Sequence, residues 1–362
     1  MKEVLENIGF YVGTIVGAGM FALPYAVIKA GPFWSLLFFF LTFGLLTLFH
    51  LIYGRIAYAI KGKHRLPGHV REVFGKNAAL VATFAVVIGL YGALLVYGIL
   101  SGIFLHHLTS ALTPSYWTII FFICLAPMLL FRLERIGIIN FVLSIPIVLF
   151  VILLFVKALP IINVSYLMTP PALPNYFLPY GVFLFAFAGL SAIPEMVEVM
   201  RKHNRQVFTR IVIGGSLAVA VIYALFVIAI AGVAGSATAP DALSTLPRYF
   251  STPLVVFGEL VALLAVLTSY LAIGIDLRGM FHYDYNFSPF LSWLFVISIP
   301  LFLFVIGFGN FISIVEFLGA VTVALNGMFV LWLAVRKNII SSVWALPLGV
   351  ALLLGIGLFI VS

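Results

Sequence analysis

The sequence predicts an all-α integral membrane protein with eleven transmembrane helices, arranged as a five-plus-five inverted repeat, N-terminus in and C-terminus out. Composition, loop charge and span spacing each support it. The 362 residues are 64% hydrophobic and 8% charged, whereas a soluble domain is about 25% charged. No long soluble domain fits such a chain. Crossing hydrocarbon takes about 20 mostly apolar residues. Eleven segments qualify, at approximately 7–30, 33–60, 78–108, 116–131, 137–159, 177–200, 208–234, 253–279, 288–306, 309–335 and 342–361.

Loop charge sets the orientation. With the N-terminus inside, the cytoplasmic side holds Lys2, Arg55, Lys61, Lys63, Arg65, Arg71, Lys76, Arg132, Arg135, Arg201, Lys202, Arg205, Arg210, Arg278, Arg336 and Lys337. The outside holds only Lys29, Lys157 and Arg248, a positive-inside bias. The net charge of +8 thereby has a membrane explanation, and nucleic acid is not expected as a partner. The acidic start Met1-Lys2-Glu3-Val4-Leu5-Glu6-Asn7 is a poor signal-peptide n-region, so the first span is expected to be retained. The single cysteine, Cys124, lies in an apolar run and reads as a small buried hydrophobe. One cysteine leaves no intrachain disulfide and no cysteine metal cluster.

The spacing reveals the repeat. Spans 6 to 10 begin 170, 175, 175, 172 and 172 residues after spans 1 to 5. Five is odd, so the second copy enters the membrane with opposite polarity. The expected organisation is one transmembrane domain over 1–362, with repeat 1 at about 7–159, repeat 2 at about 177–335 and an extra helix at about 342–361.

Two of the eleven segments are built to break. Span 1 contains Gly13, Gly17, Gly19 and Pro24, residues that cost about 1 kcal/mol (Gly) and 3 kcal/mol (Pro) inside a helix. Its repeat mate, span 6, carries Gly189, Ser191 and Pro194 within six residues. Unwound backbone survives at membrane depth only inside protein or along a cavity, and paired broken helices form the substrate and ion sites of many secondary transporters. The other reading of the same glycines is close helix packing, since Gly13 and Gly17 make a Gly-xxx-Gly pair. On the first reading, Gly17, Ala18 and Gly19 offer free N–H groups at a positive helix end to a carboxylate. Freed carbonyls near Ile15, Phe185 and Ala188 face an ammonium. Neither break contains an acid or base before Glu195, which suits a neutral zwitterion.

The run from Thr14 to Ala26, with Gly17-Ala18-Gly19-Met20-Phe21, resembles the first helix of the amino acid/auxin permease branch of the APC superfamily, and Phe185 to Glu195 resembles its sixth. Gly31-Pro32-Phe33-Trp34 after the first run is also similar to the bacterial tryptophan/tyrosine permeases. The resemblance implies the LeuT fold, alternating access, and amino acid transport driven by sodium or protons. It implies a substrate site at Ile15, Gly17, Ala18, Gly19, Phe185 (a gate aromatic), Ala188, Gly189 and Ser191. It also implies a sodium site formed by the Gly13, Val16 and Ala265 carbonyls with the Thr268 and Ser269 hydroxyls. Back-bonding of both hydroxyls to their own helix is the alternative for span 8.

Acids within spans mark proton carriers by default. Glu259 and Glu316 are the candidates, as carriers or structural partners. Glu195, Glu198 and Asp276 lie beside Arg201, Lys202 and Arg278 and read as solvated gate ion pairs. Tyr91 and Tyr97 face either the site or neighbouring helices, and His50 reads as a hydrogen-bonded structural histidine. No metal-ligand spacing, P-loop or nucleophile elbow occurs, so no enzyme is expected. The expectation is a cell-membrane symporter for neutral amino acids, aromatic or branched ones included, with sodium favoured over protons. A sensor or an uncoupled exchanger of the same fold is the alternative. Expected partners are the amino acid and the bilayer; no cofactor beyond the coupling ion and no obligate protein partner is expected.

Overall fold

The computed structural model describes residues 2–60, 62, 64–130, 136–168, 170, 175–202 and 204–361. Lys61, Lys63, Arg132 and Arg135 lie outside the described residues. Within them the chain is helical and without strands. Helix α1 (Lys2–Ile15) and the start of α2 (Gly19–Ala59) form the first expected span, and the rest of α2 forms the second. Between them Gly31 has φ 74° and ψ 172°, a conformation open to glycine. Pro32 starts the next helix, and the Ser35 hydroxyl donates back to the Gly31 (2.6 Å) and Val27 (3.2 Å) carbonyls.

Next come α3 (Leu66–Phe74), α4 (Lys76–Thr109), α5 (Pro114–Leu125), α6 (Ile136–Ala158) and the short α7 (Val164–Leu167). The sixth expected span is two half-helices, α8 (Leu178–Ala186) and α9 (Ala192–Met200). They are followed by α10 (Arg205–Ala234), α11 (Thr252–Gly279), α12 (Pro289–Val305), α13 (Phe311–Phe317), α14 (Ala324–Arg336) and α15 (Ser342–Val361). Prolines open α3, α5, α8, α11 and α12, where a missing N–H costs nothing. Asn204, Ser288 and Asn310 cap α10, α12 and α13 through their side-chain oxygens. Two things were not expected: α3, a short helix in the basic loop after span 2, and a π-helical stretch over Leu318–Val323 joining α13 to α14.

Helices α1, α2, α8, α9 and α10 pack into one group, and α4, α5, α11 and α12 into another, with α6 touching α1, α10 and α11. Crossings pair a glycine with a large ring. Gly54 faces Phe208, Gly98 faces Phe122 and Gly258 faces Phe150, each too close for a Cβ. Close approach at small residues is how helices associate where lipid removes the hydrophobic drive. Phe33, Phe40, Phe84, Val305 and Trp344 are each over 60% exposed, an apolar surface that belongs in lipid. Six helical stretches among the described residues are long and apolar enough to cross a membrane alone. Of these, the α10 stretch is 61% buried and α15 only 17%, so α15 sits at the rim. Cys124 corrects an expectation. It is exposed, because an apolar side chain on an outer helix faces lipid as readily as core.

Candidate functional site at the two helix breaks

Helix α1 stops at Ile15 and α2 starts at Gly19. Across the gap Val16 N donates to Val12 O (2.8 Å), Met20 N to Gly17 O (3.2 Å) and Phe21 N to Ala18 O (3.2 Å). The N–H groups of Gly17, Ala18 and Gly19 have no acceptor among the described residues, and the Gly13, Thr14 and Val16 carbonyls receive no backbone donor. The three free N–H groups lie at the N-terminal end of α2, the positive end of its dipole.

The second break mirrors the first. Phe187 N donates to Phe183 O (2.9 Å), Ala188 N to Phe185 O (3.1 Å) and Ala192 N to Gly189 O (3.1 Å). The Ala188 carbonyl is open, whereas the Phe185 carbonyl already accepts within its turn. Gly189, Leu190 and Ser191 keep free N–H groups at the start of α9, and Ser191 is exposed there. The breaks touch each other. A Cβ on Gly189 would come 2.6 Å from Ile15 Cγ1, and one on Gly19 would come 2.7 Å from Ala186 Cα and 3.1 Å from Phe185 Cδ1. Phe185 thus covers Gly19. Gly17 faces the other helix group: its Cβ position is 3.5 Å from Ser269 Oγ and 3.8 Å from the Tyr97 hydroxyl.

Ser269 therefore lies beside the unwound turn. Thr268 donates to its own helix at Leu264 (3.1 Å) and Ala265 (3.0 Å), which leaves its oxygen lone pairs open and engages the Ala265 carbonyl. Tyr97 is on the site side, whereas Tyr91 reaches the Phe295 carbonyl (3.2 Å) on α12 and is remote.

Helix α10 contributes residues that the sequence did not single out. Tyr223, fully buried, places its hydroxyl 2.8 Å from both the Ile15 and Ala186 carbonyls. Two turns earlier on the same face, Ser216 Oγ is 2.7 Å from the Tyr11 hydroxyl, which is 2.7 Å from His50 Nδ1. His50 is structural on that side, while its buried Nε2 has no hydrogen-bond partner and its Cε1 lies beside Gly189. A residue spacing of seven on a helix bearing otherwise apolar neighbours was the available signal.

The expected acids separate. Glu259, 2% exposed, sits 3.1 Å from His107 Nδ1, off the hydrogen-bond axis. His107 Nε2 lies 3.2 Å from Ser244 Oγ, which donates to Asp241 (2.9 Å). Glu316 belongs to α13, where its backbone crowds Gly181 of α8. Glu195 and Asp276 take a partner other than the expected Arg201, Lys202 and Arg278. Arg65 contacts both Glu195 on α9 and Asp276 on α11 (3.2 Å to the latter). Arg278 donates instead to the Leu129 carbonyl, and Arg201 to Ala57 (3.0 Å) and Ile60 (2.9 Å). Burial opposes the Arg65 charge, but Asp276 and Glu195 outweigh it and raise its pKa.

Two apolar grooves, of about 360 and 540 Å³, lie on the outer faces of α4 with α14 and of α2. They offer nothing for charged ends.

The tryptophan/tyrosine permease family profile matches residues 2–361. The chain belongs to the tryptophan/tyrosine permease family. It is thus a multi-pass membrane transporter of amino acids, not an enzyme. The permease fold is similar to the crystal structure of MhsT in complex with L-phenylalanine, with TM-score 0.72 and 17% identity over 99% of this chain and 97% of that one. That likeness establishes the LeuT fold for this permease. A search of curated protein sequences returns no match.

Proposed function

We propose that this permease imports neutral amino acids, aromatic or branched ones foremost, by alternating access coupled to a cation. The carrying observation is the pair of adjoining breaks, with free N–H groups at Gly17, Ala18 and Gly19 in one and an open Ala188 carbonyl in the other. That set matches a carboxylate at one end and an ammonium at the other. Ile15, Ala188, Gly189 and Ser191 line the same junction, and Phe185 closes over it. The L-phenylalanine in the MhsT crystal supports an aromatic substrate. We place the permease in the amino acid/auxin branch of the APC superfamily, N-terminus in and C-terminus out, with the α1, α2, α8/α9 and α10 group rocking against the rest.

Sodium, the favoured ion, would be held by the Gly13, Val16 and Ala265 carbonyls with Thr268 and Ser269. The approach of Ser269 to Gly17 supports that crevice. The buried Glu259–His107 contact supports proton coupling as a second reading, with Glu316 the other candidate. Uptake of radiolabelled phenylalanine into proteoliposomes, with sodium and pH gradients imposed separately, tests this. Sodium-driven uptake that Thr268→Ala and Ser269→Ala reduce at least tenfold is expected. Uptake indifferent to sodium overturns the crevice, and binding without uptake under either gradient makes the protein a sensor.

A further inference from the structure

Ile15 and Ala186 are the last helical residues of α1 and α8, so two negative helix ends point at one buried hydroxyl. No other donor among the described residues reaches either carbonyl. The phenol of Tyr223 carries one proton and satisfies one carbonyl at a time. Both carbonyls contact the same atom at 2.8 Å, so they stand at most two hydrogen-bond lengths apart. One ammonium nitrogen can straddle that gap with two of its N–H groups.

We propose that Tyr223 is a positioning residue for the ammonium end of the substrate. It pins the two carbonyls at ammonium spacing and leaves one short of a donor, which the ligand supplies. The inference rests on the zwitterion reading above. The hydroxyl is itself held in place. The Tyr223 ring lies 5.2 Å from that of Phe187, and Ser216 anchors the same face of α10 to Tyr11. Removing the hydroxyl lets the two negative ends drift apart, and the ligand then has to bring them together itself, a loss of preorganisation.

The test is equilibrium dialysis of the purified full chain with L-phenylalanine and with 3-phenylpropionate, which has the same body and carboxylate but no ammonium. Tyr223→Phe is expected to weaken L-phenylalanine about tenfold, equivalent to about 1.4 kcal/mol, and to leave 3-phenylpropionate unchanged. Tyr223→His, which returns an N–H donor, is expected to recover part of the difference. Equal weakening of both ligands, unchanged or tighter L-phenylalanine binding, or a Phe variant that does not fold each overturns the positioning role. Wild-type protein that binds no amino acid overturns the transport reading first, and this inference with it.

Discussion

Gly17 and Gly19 sit two residues apart and answer to different constraints. A methyl at Gly19 would drive into the backbone of α8, 2.7 Å from Ala186 Cα, and backbone cannot swing aside. Gly19→Ala should therefore cost about 1–3 kcal/mol, the usual range for overpacking, and appear as a lower melting temperature in detergent. A methyl at Gly17 meets Ser269 Oγ at 3.5 Å and the Tyr97 hydroxyl at 3.8 Å, which is ordinary contact. Gly17→Ala should stay within about 0.5 kcal/mol of wild type in stability yet weaken phenylalanine binding, because the methyl fills space between the unwound turn and α11. Equal melting losses at both positions would contradict this division. Both glycines were legible in the sequence as break residues. Their separate roles were not, because neighbours arriving from α8 and α11 decide them.

At the scale of elements, the broken helices and the long spans could be read from glycine, proline and apolar run lengths alone. The closure of α9 against α11 by Arg65 could not. Arg65 lies 130 residues from Glu195 and 211 from Asp276, and pairing acids with their chain neighbours points to the wrong partners. Tyr223 escaped for a similar reason. Its spacing of seven from Ser216 marks a polar face on α10, but nothing local tells that the hydroxyl of this one tyrosine among fifteen meets two helix ends. Because Arg65 ties α9 to α11, its loss should loosen the closure more than the fold. Its side chain is 36% exposed, so Arg65→Ala should change stability by no more than about 1 kcal/mol. In a Cys124→Ser background, a cysteine placed at Ser191 should react several-fold faster with an impermeant thiol reagent from the cytoplasmic side when Arg65 is alanine. Arg65→Lys should restore little, since a point ammonium lacks the fork that serves two carboxylates at once. An unchanged labelling rate would remove Arg65 from the closure.

For the whole molecule, α3 makes stability depend on acid. His69 is 1% exposed and its Nδ1 lies 3.1 Å from the Tyr53 hydroxyl of α2. Burial, then His64, Arg65 and Arg201 nearby, lower its pKa from 6.5 to about 4. The unfolded chain takes up a proton there near pH 6.5 and the folded chain only near pH 4, so acid favours unfolding across that interval. Stability from this residue is complete above about pH 6.5 and falls by up to about 3 kcal/mol as the pH drops to 4. His69→Asn should flatten that part of the melting-temperature profile; a profile identical to wild type would assign the acid sensitivity elsewhere. The contact between α8 and the 318–323 segment is of another kind. Gly319 lies directly on the Gly181 carbonyl, and Gly181 lies against the Glu316 backbone, with no space for a side chain at either glycine. Backbone meets backbone at that crossing, so a methyl at either glycine would have to part the helices themselves. The first half of the second broken helix thus rests on a bare peptide seat, its spacing from the 318–323 segment set there by main chain alone.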